Sequence, residues 1–320
     1  MPESRRKGPR GLPAIADARD QRARGATKWT VQAGLVAAGA IALAFVADRV
    51  VSGHALSADR QALLAKQRAV VVTVGAEWYP LRDALETDVL NAAKAYPGDY
   101  VDPEARAGAF RTRPGLYLRM RVADASDARS VRRVAADAKR DAFAACLLRE
   151  PNERGVRGEI DGGAFAEQPW NLGQAYAATR ILTEDWVAAV KDADDPMRLR
   201  VFTEQYDRAV KSAIPVAIDV VRRAEFFLFV LDEDVAEAAA HAEGGVVDEQ
   251  ALQLVGHPAR VHLVDLKRGK EVLRLRRTGE ARVIPAGEHV VTDQEAQEAM
   301  QRQANNCALA ASVEAALADR

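Results

Sequence analysis

The hydrophobic pattern is dominated by one feature: nineteen residues, Trp29 to Ala47, run without a charged side chain. A helix rises about 1.5 Å per residue, so this run nearly matches a hydrocarbon core of roughly 30 Å and is expected to cross a bilayer once. Val31, Leu35, Val36, Ile41, Leu43, Phe45 and Val46 favour insertion by about 0.3 to 0.6 kcal/mol each, a few kcal/mol together. With Lys28 and Arg49 as flanking charges and Trp29 at the rim, residues 29–51 are the expected transmembrane helix. A cleaved secretory signal competes with this reading, with Ala42-Leu43-Ala44 or Gly53-His54-Ala55 at the cut; a 28-residue stretch ahead of the apolar run is long for such a signal.

Beyond the span, apolar residues fall at Leu63, Val70, Val74, Trp78, Leu81, Leu85 and Val89, which is helical spacing. Residues 52–96 are expected to form a helical stalk, bent at Pro80, where the ring removes a backbone donor. The β-branched run Val70 to Val74 offers a strand as the alternative. A Gly/Pro/Asp-rich loop at 97–114 then opens a soluble domain that continues to residue 320.

Within that domain Leu116 to Val122 alternates apolar residues with Arg, the mark of a half-exposed strand, and an amphipathic helix is expected over Ser126 to Leu148. After a glycine-rich loop, Pro151 to Pro169, come two helices, Leu172 to Asp192 and Pro196 to Arg223. Asp195 is placed to cap the second and Pro215 to kink it. The continuous run Glu225 to Leu231 is the expected most buried strand, followed by a short Ala-rich helix over Asp232 to Glu243. Arg260 to Leu266 and Glu271 to Arg277 alternate on either side of a turn containing Gly269, a hairpin. Residues 292–318 close the chain as a helix opened by Thr292 and Asp293 with Glu295 behind them. The order predicts an α+β fold, with helices packed on one face of a small, mainly antiparallel sheet and a C-terminal helix.

Charge sets the orientation. Residues 1–28 hold eight Lys/Arg against three Asp/Glu, net +5, while the chain as a whole is at -1, so the remainder carries -6. Basic residues stay on the cytoplasmic side, which predicts a cytoplasmic tail and a domain outside the cytoplasmic membrane. A mildly acidic domain is a poor ligand for nucleic acid, so the expected partners are the lipid bilayer and other proteins of the cell envelope. Ala33, Ala37, Ala40, Ala44 and Ala47 line one face of the span, a surface on which two such helices could approach closely and form a homodimer. An Ala-rich segment also produces this spacing by chance.

Candidate chemistry is sparse. Cys146 and Cys307 lack the spacing of a metal or redox motif, so they read either as a bridge in an oxidising compartment or as two buried thiols. His257 and His262 are five apart around a strand start, too few ligands for a metal site. No serine elbow, HExxH, phosphate loop or GxGxxG occurs, so no cofactor is expected. Asp232-Glu233-Asp234 after the buried strand could serve as acid and base, although Asp232 or Asp234 capping the next helix explains the placement more simply. Glu159 and Asp161, beside Gly162 and Gly163, form a second acidic spot without the calcium-loop pattern. The expected function is therefore a non-enzymatic, membrane-tethered extracytoplasmic binding or scaffold module. An envelope hydrolase or transferase using carboxylates near Asp232 and Asp234 is the alternative.

Overall fold

The computed structural model describes residues 55–139, 141–148, 169–242, 247–282 and 293–319. The chain divides into two compact units, Met1–Leu63 and Leu64–Arg320. Of the first, residues 55–63 are described, and they are helical. The basic tail, the expected transmembrane helix at 29–51 and the face formed by Ala33, Ala37, Ala40, Ala44 and Ala47 lie outside the described residues. Among the described residues no helix is long and apolar enough to cross a membrane.

Unit 64–320 is α+β around a mixed six-stranded sheet. Its strands are β1 (Tyr100–Val101), β2 (Gly115–Arg121), β3 (Trp170–Asn171), β4 (Phe226–Asp232), β5 (His257–Asp265) and β6 (Lys270–Gly279), in the spatial order β1-β6-β5-β4-β2-β3. The hairpin β5–β6 and its neighbours β1 and β4 pair antiparallel, as the alternating sequence implies. Gly269 in its turn has φ +59°, a conformation that glycine adopts without steric cost. The parallel pairing of β2 with β3 and with β4 departs from the mainly antiparallel expectation. It arises because the chain between β2 and β4 is long and, among the described residues, largely helical, the kind of connection that returns a strand in the same direction.

Helices cover both faces of the sheet. On one face Tyr117, Phe226, Leu228, Val230, Val261, Leu263 and Leu275 pack against α4 (Ala142–Leu148) and α10 (Gln294–Ala318). Cys146 on α4 and Cys307 on α10 are joined as a disulfide, with Cα atoms 5.3 Å apart, so the bridge fastens a middle helix to the last one. Asp293 caps α10 by accepting from the Glu295 N–H.

The opposite face presents Leu118, Met120, Phe227 and Phe229, all buried. Residues 55–94 form one helix, α1, and its part from residue 64 onward lies on this side of the domain. The expected stalk is thus corrected over 64–94, where Trp78, Leu85 and Val89 are buried core residues. Trp78 meets Tyr176 edge-on, with centroids 5.9 Å apart. Glu86 is buried and takes two hydrogen bonds from Arg132, at 2.9 and 2.8 Å. Arg260 donates to the carbonyls of Ala92 and Ala93, satisfying the end of α1. The run Val70 to Val74 is helical, as the flanking phase required, and so is Pro80.

The remaining helices are α2 (Pro103–Arg106), α3 (Ala128–Asp137), α5 (Gly173–Thr179), α6 (Glu184–Lys191), α7 (Pro196–Arg208), α8 (Ile214–Arg223) and α9 (Glu249–Leu252). Asp195 caps α7 as expected, accepting from the Arg198 N–H at 2.8 Å. The distortion expected at Pro215 takes the form of a π-helical segment, Ala209–Ala213, between α7 and α8. The helix expected over Ser126 to Leu148 is instead two helices, α3 and α4, with Asp141 just ahead of α4. The glycine-rich loop, with Glu159 and Asp161, lies outside the described residues apart from its last position, Pro169.

Candidate functional site

The alternating pattern of β2 places Tyr117, Arg119 and Arg121 on the face shared with α4 and α10. Arg119 was expected to face water and is instead 1% exposed, because β2 is an interior strand covered on both sides. A buried guanidinium is tolerated only when it is paired and hydrogen-bonded, and Arg119 is both. Its Nε and Nη2 reach the two oxygens of Asp232 at 2.7 and 2.9 Å, the two-pronged geometry favoured by arginine and carboxylate. Nη1 donates to Asp141 Oδ2 at 2.9 Å and to Asn306 Oδ1 at 2.6 Å.

Every partner is itself held. Asp141 accepts from the Tyr117 hydroxyl at 2.7 Å, and its other oxygen accepts from the Phe143 N–H at the start of α4. Asn306 donates to Gln253 Oε1 at 3.1 Å, and Gln253 donates to Glu249 Oε1 at 2.9 Å. His257 Nε2 lies 2.9 Å from Asp232 Oδ1 and its Nδ1 lies 3.0 Å from the Val255 carbonyl. The result is one hydrogen-bonded chain, from Val255 through His257, Asp232, Arg119, Asn306 and Gln253 to Glu249.

The acidities follow from this arrangement. Burial pushes the Asp232 carboxyl up, but the Arg119 charge and the hydrogen bonds from His257 and Arg119 outweigh it and bring the pKa down to about 2. Glu249 goes the other way. Burial, reinforced by the negative charges of Asp232 and Asp141 and only partly offset by Arg119, raises it to about 8. Tyr117 is driven well above its ordinary value, by burial first and then by Asp141.

Four members of this network, Asp141, Glu249, Gln253 and Asn306, line a cleft of about 850 Å³ that is also bordered by Arg121 and Arg302, while Arg119 and Asp232 lie buried behind them. Arg121 and Asp232 are the last residues of two parallel strands, β2 and β4. The cleft therefore opens at the carboxyl ends of parallel strands, where ligands of α/β sheets commonly bind. Its walls carry both signs of charge, with Arg133, Lys139 and Arg302 facing the same space as Asp137, Asp248 and Glu295.

The residues singled out by sequence fare differently. Asp232 and Asp234 are not a pair: Asp232 is buried in the network, while Asp234 is exposed and takes a 3.3 Å hydrogen bond from Arg121. Neither is a helix cap, because the next helical turn, Ala236–His241, starts after Val235 and has no side-chain cap. His257 and His262 stand on opposite faces of β5. Among the described residues no group of three or more His, Cys, Asp or Glu side chains is placed to hold a metal ion. Arg119, Asp141, Glu249, Gln253 and Asn306 escaped the sequence reading. The available signal was an arginine at an inward position of a central strand, whose burial would demand a carboxylate. No family model, curated protein or solved structure matches the chain.

Proposed function

We propose that the chain is a single-pass protein of the cytoplasmic membrane whose folded unit lies outside the cytoplasm and binds a small polar solute in the cleft lined by Asp141, Glu249, Gln253 and Asn306. The cleft carries this reading. About 850 Å³ lies within the size range of small-molecule sites. Asp141 and Asn306 on its lining are fixed from behind by the buried Arg119, which spends four hydrogen bonds on protein partners, so they present a fixed polar surface. Recognition falls to the walls: a protonated Glu249 that can donate a hydrogen bond near neutral pH, and cationic side chains such as Arg302. The Cys146–Cys307 bridge supports an oxidising location, since disulfides persist outside the cytoplasm. Tethering rests on the apolar run at 29–47 and the basic tail.

The envelope hydrolase or transferase remains as a second reading because Glu249 is a carboxylic acid poised near neutral pH, the property of a general acid. It no longer rests on Asp234, which lies outside the network. The test is a thermal-shift screen of the full chain in detergent against amino acids, sugars, nucleotides and organic acids. At least one solute should raise the unfolding temperature, and Arg302→Glu should abolish the shift. A screen without a stabilising solute sinks the binding reading, and consumption of the bound solute replaces it with the enzyme. Thiol labelling of Cys146 and Cys307 in intact cells tests the location: reaction only after denaturation and reduction is expected, and labelling without reductant would remove the support from the bridge.

A further inference from the structure

The cleft has two walls, built from distant parts of the chain. One is the end of α3 and the start of α4, which contribute Arg133, Asp137, Asp141 and Ala142. The other includes α10, whose Glu295, Ala299, Arg302, Gln303 and Asn306 recur at helical spacing, so one face of that helix lines the space. Each wall has a cysteine close behind it. Cys307 follows Asn306 directly, and Cys146 comes five residues after Asp141, about 7 to 8 Å along a helix. The Cys146–Cys307 bridge is therefore a covalent tie between the two walls.

Two polar ties flank it. Arg119 Nη1 holds Asp141 and Asn306 together ahead of α4, and Arg111 Nη1 joins the Leu147 carbonyl, at 2.7 Å, to Glu314 Oε1 of α10, at 3.4 Å. At seven residues α4 has about half the length at which an isolated helix persists in water, so it keeps its place through its attachments. Phe143, Ala144 and Leu147 are fully buried, so loss of the bridge leaves α4 anchored in the core while freeing its outer side to move away from α10. Cys146 and Cys307 are both half-buried rather than sealed in that core.

We propose that the bridge is a redox latch on the cleft: the walls are held at their separation in the oxidised chain and part when Cys146 and Cys307 are reduced. The reductant is a dithiol. One of its thiolates attacks a bridge sulfur, forming a mixed disulfide and expelling the other cysteine as a thiolate. Its second sulfur then displaces the first cysteine, so two electrons and two protons pass to Cys146 and Cys307 and the dithiol leaves as its own disulfide. The consequence is a site that forms only where disulfides form. As a control on ligand binding the latch rests on the solute-binding role proposed above, whereas the coupling of bridge to walls does not.

The experiment follows hydrogen exchange of the full chain in detergent when oxidised, reduced with dithiothreitol and reoxidised, at low urea concentrations that leave it folded. No solute is added, so the outcome is independent of whether one binds. In the reduced chain the amides from Cys146 to Leu148 in α4 and from Asn306 to Leu309 in α10 should exchange about tenfold or more faster than those of β4 and β5. Their rates should be insensitive to urea, the mark of local opening, and reoxidation should restore them. A bridge that dithiothreitol leaves intact in the folded chain, or exchange in α4 and α10 unchanged by reduction, would overturn the proposal. So would exchange that rises in step with β4 and β5 and with urea, because the bridge then contributes only to global stability.

Discussion

Glu249 should make the domain less stable as the solution becomes more alkaline, and Glu249→Gln should remove that dependence. The unfolded carboxyl ionises near 4.5 and the folded one near 8, so between these values the folded chain holds a proton that the unfolded chain has lost. The sign follows: a folded pKa above the unfolded one gives stability that is complete below 4.5 and is lost as pH rises through 8. The slope is about 1.4 kcal/mol per pH unit, and the whole window sets a ceiling of about 5 kcal/mol. Glu249 borders an open cleft and is partly exposed, so solvent screening reduces this to an expected ~2 to 3 kcal/mol. Against a typical total stability of about 5 to 15 kcal/mol that is readily measured. Glutamine keeps an oxygen for the Gln253 N–H and cannot ionise, which isolates the charge. Urea unfolding of both proteins at about pH 5, 6, 7 and 8 gives the difference at each pH, and background titrations such as that of Asp88 cancel. The variant should gain steadily on the native protein as pH rises. A difference that stays flat across the window would refute the burial of Glu249 behind Asp232 and Asp141.

Three further outcomes are expected. Arg119→Met strands Asp232 and Asp141 as buried charges and should cost about 3 to 5 kcal/mol in urea unfolding, whereas an exposed arginine would cost almost nothing. Replacing both Cys146 and Cys307 with Ala opens a loop closed over 161 residues and should cost up to about 5 kcal/mol by chain entropy; an unfolding midpoint unmoved by the replacement would contradict the bridge. Gly279→Ala would place a Cβ 2.5 Å from the Leu309 backbone nitrogen, so β6 and α10 must separate, at a cost of about 1 to 3 kcal/mol read from the thermal midpoint.

The parts of the fold that could be read from sequence are those that local chemistry decides. The β5–β6 hairpin has two alternating runs and a glycine in its turn, and α7 has Asp195 ahead of Pro196; each determines its own geometry within a few residues. The run Glu225 to Leu231 reads as buried because no polar position interrupts it after Glu225, and β4 is buried along its entire length. What stayed hidden depended on distant partners. The 64–94 helix has the periodicity of a helix whether it stands free or packs, and only its contacts with Tyr176, Arg132 and Arg260 distinguish the two. The parallel pairing of β2 with β4 depends on where a connection of a hundred residues returns, which no local pattern encodes.

The site was hidden for a sharper reason. In an alternating strand, arginines at every second position are the ordinary signature of a solvated face, and β2 carries Arg119 and Arg121 on that pattern. Arg121, at the end of the strand, is only partly covered and reaches Asp234 and Asp124 at the rim of the domain. Arg119, two residues earlier, breaks the rule because α4 and α10 close over it, and the cost of burying its charge is offset by carboxylates from two other elements. Asp232 stands out in the sequence for its place after the buried strand, yet a helix cap explains that place more simply without any knowledge of Arg119. Each residue alone had a plain explanation, and only the pairing across 113 positions makes either one informative. A charged residue at the inward position of a central strand is therefore a request for a partner, and the partner marks where the chain brings its polar chemistry together.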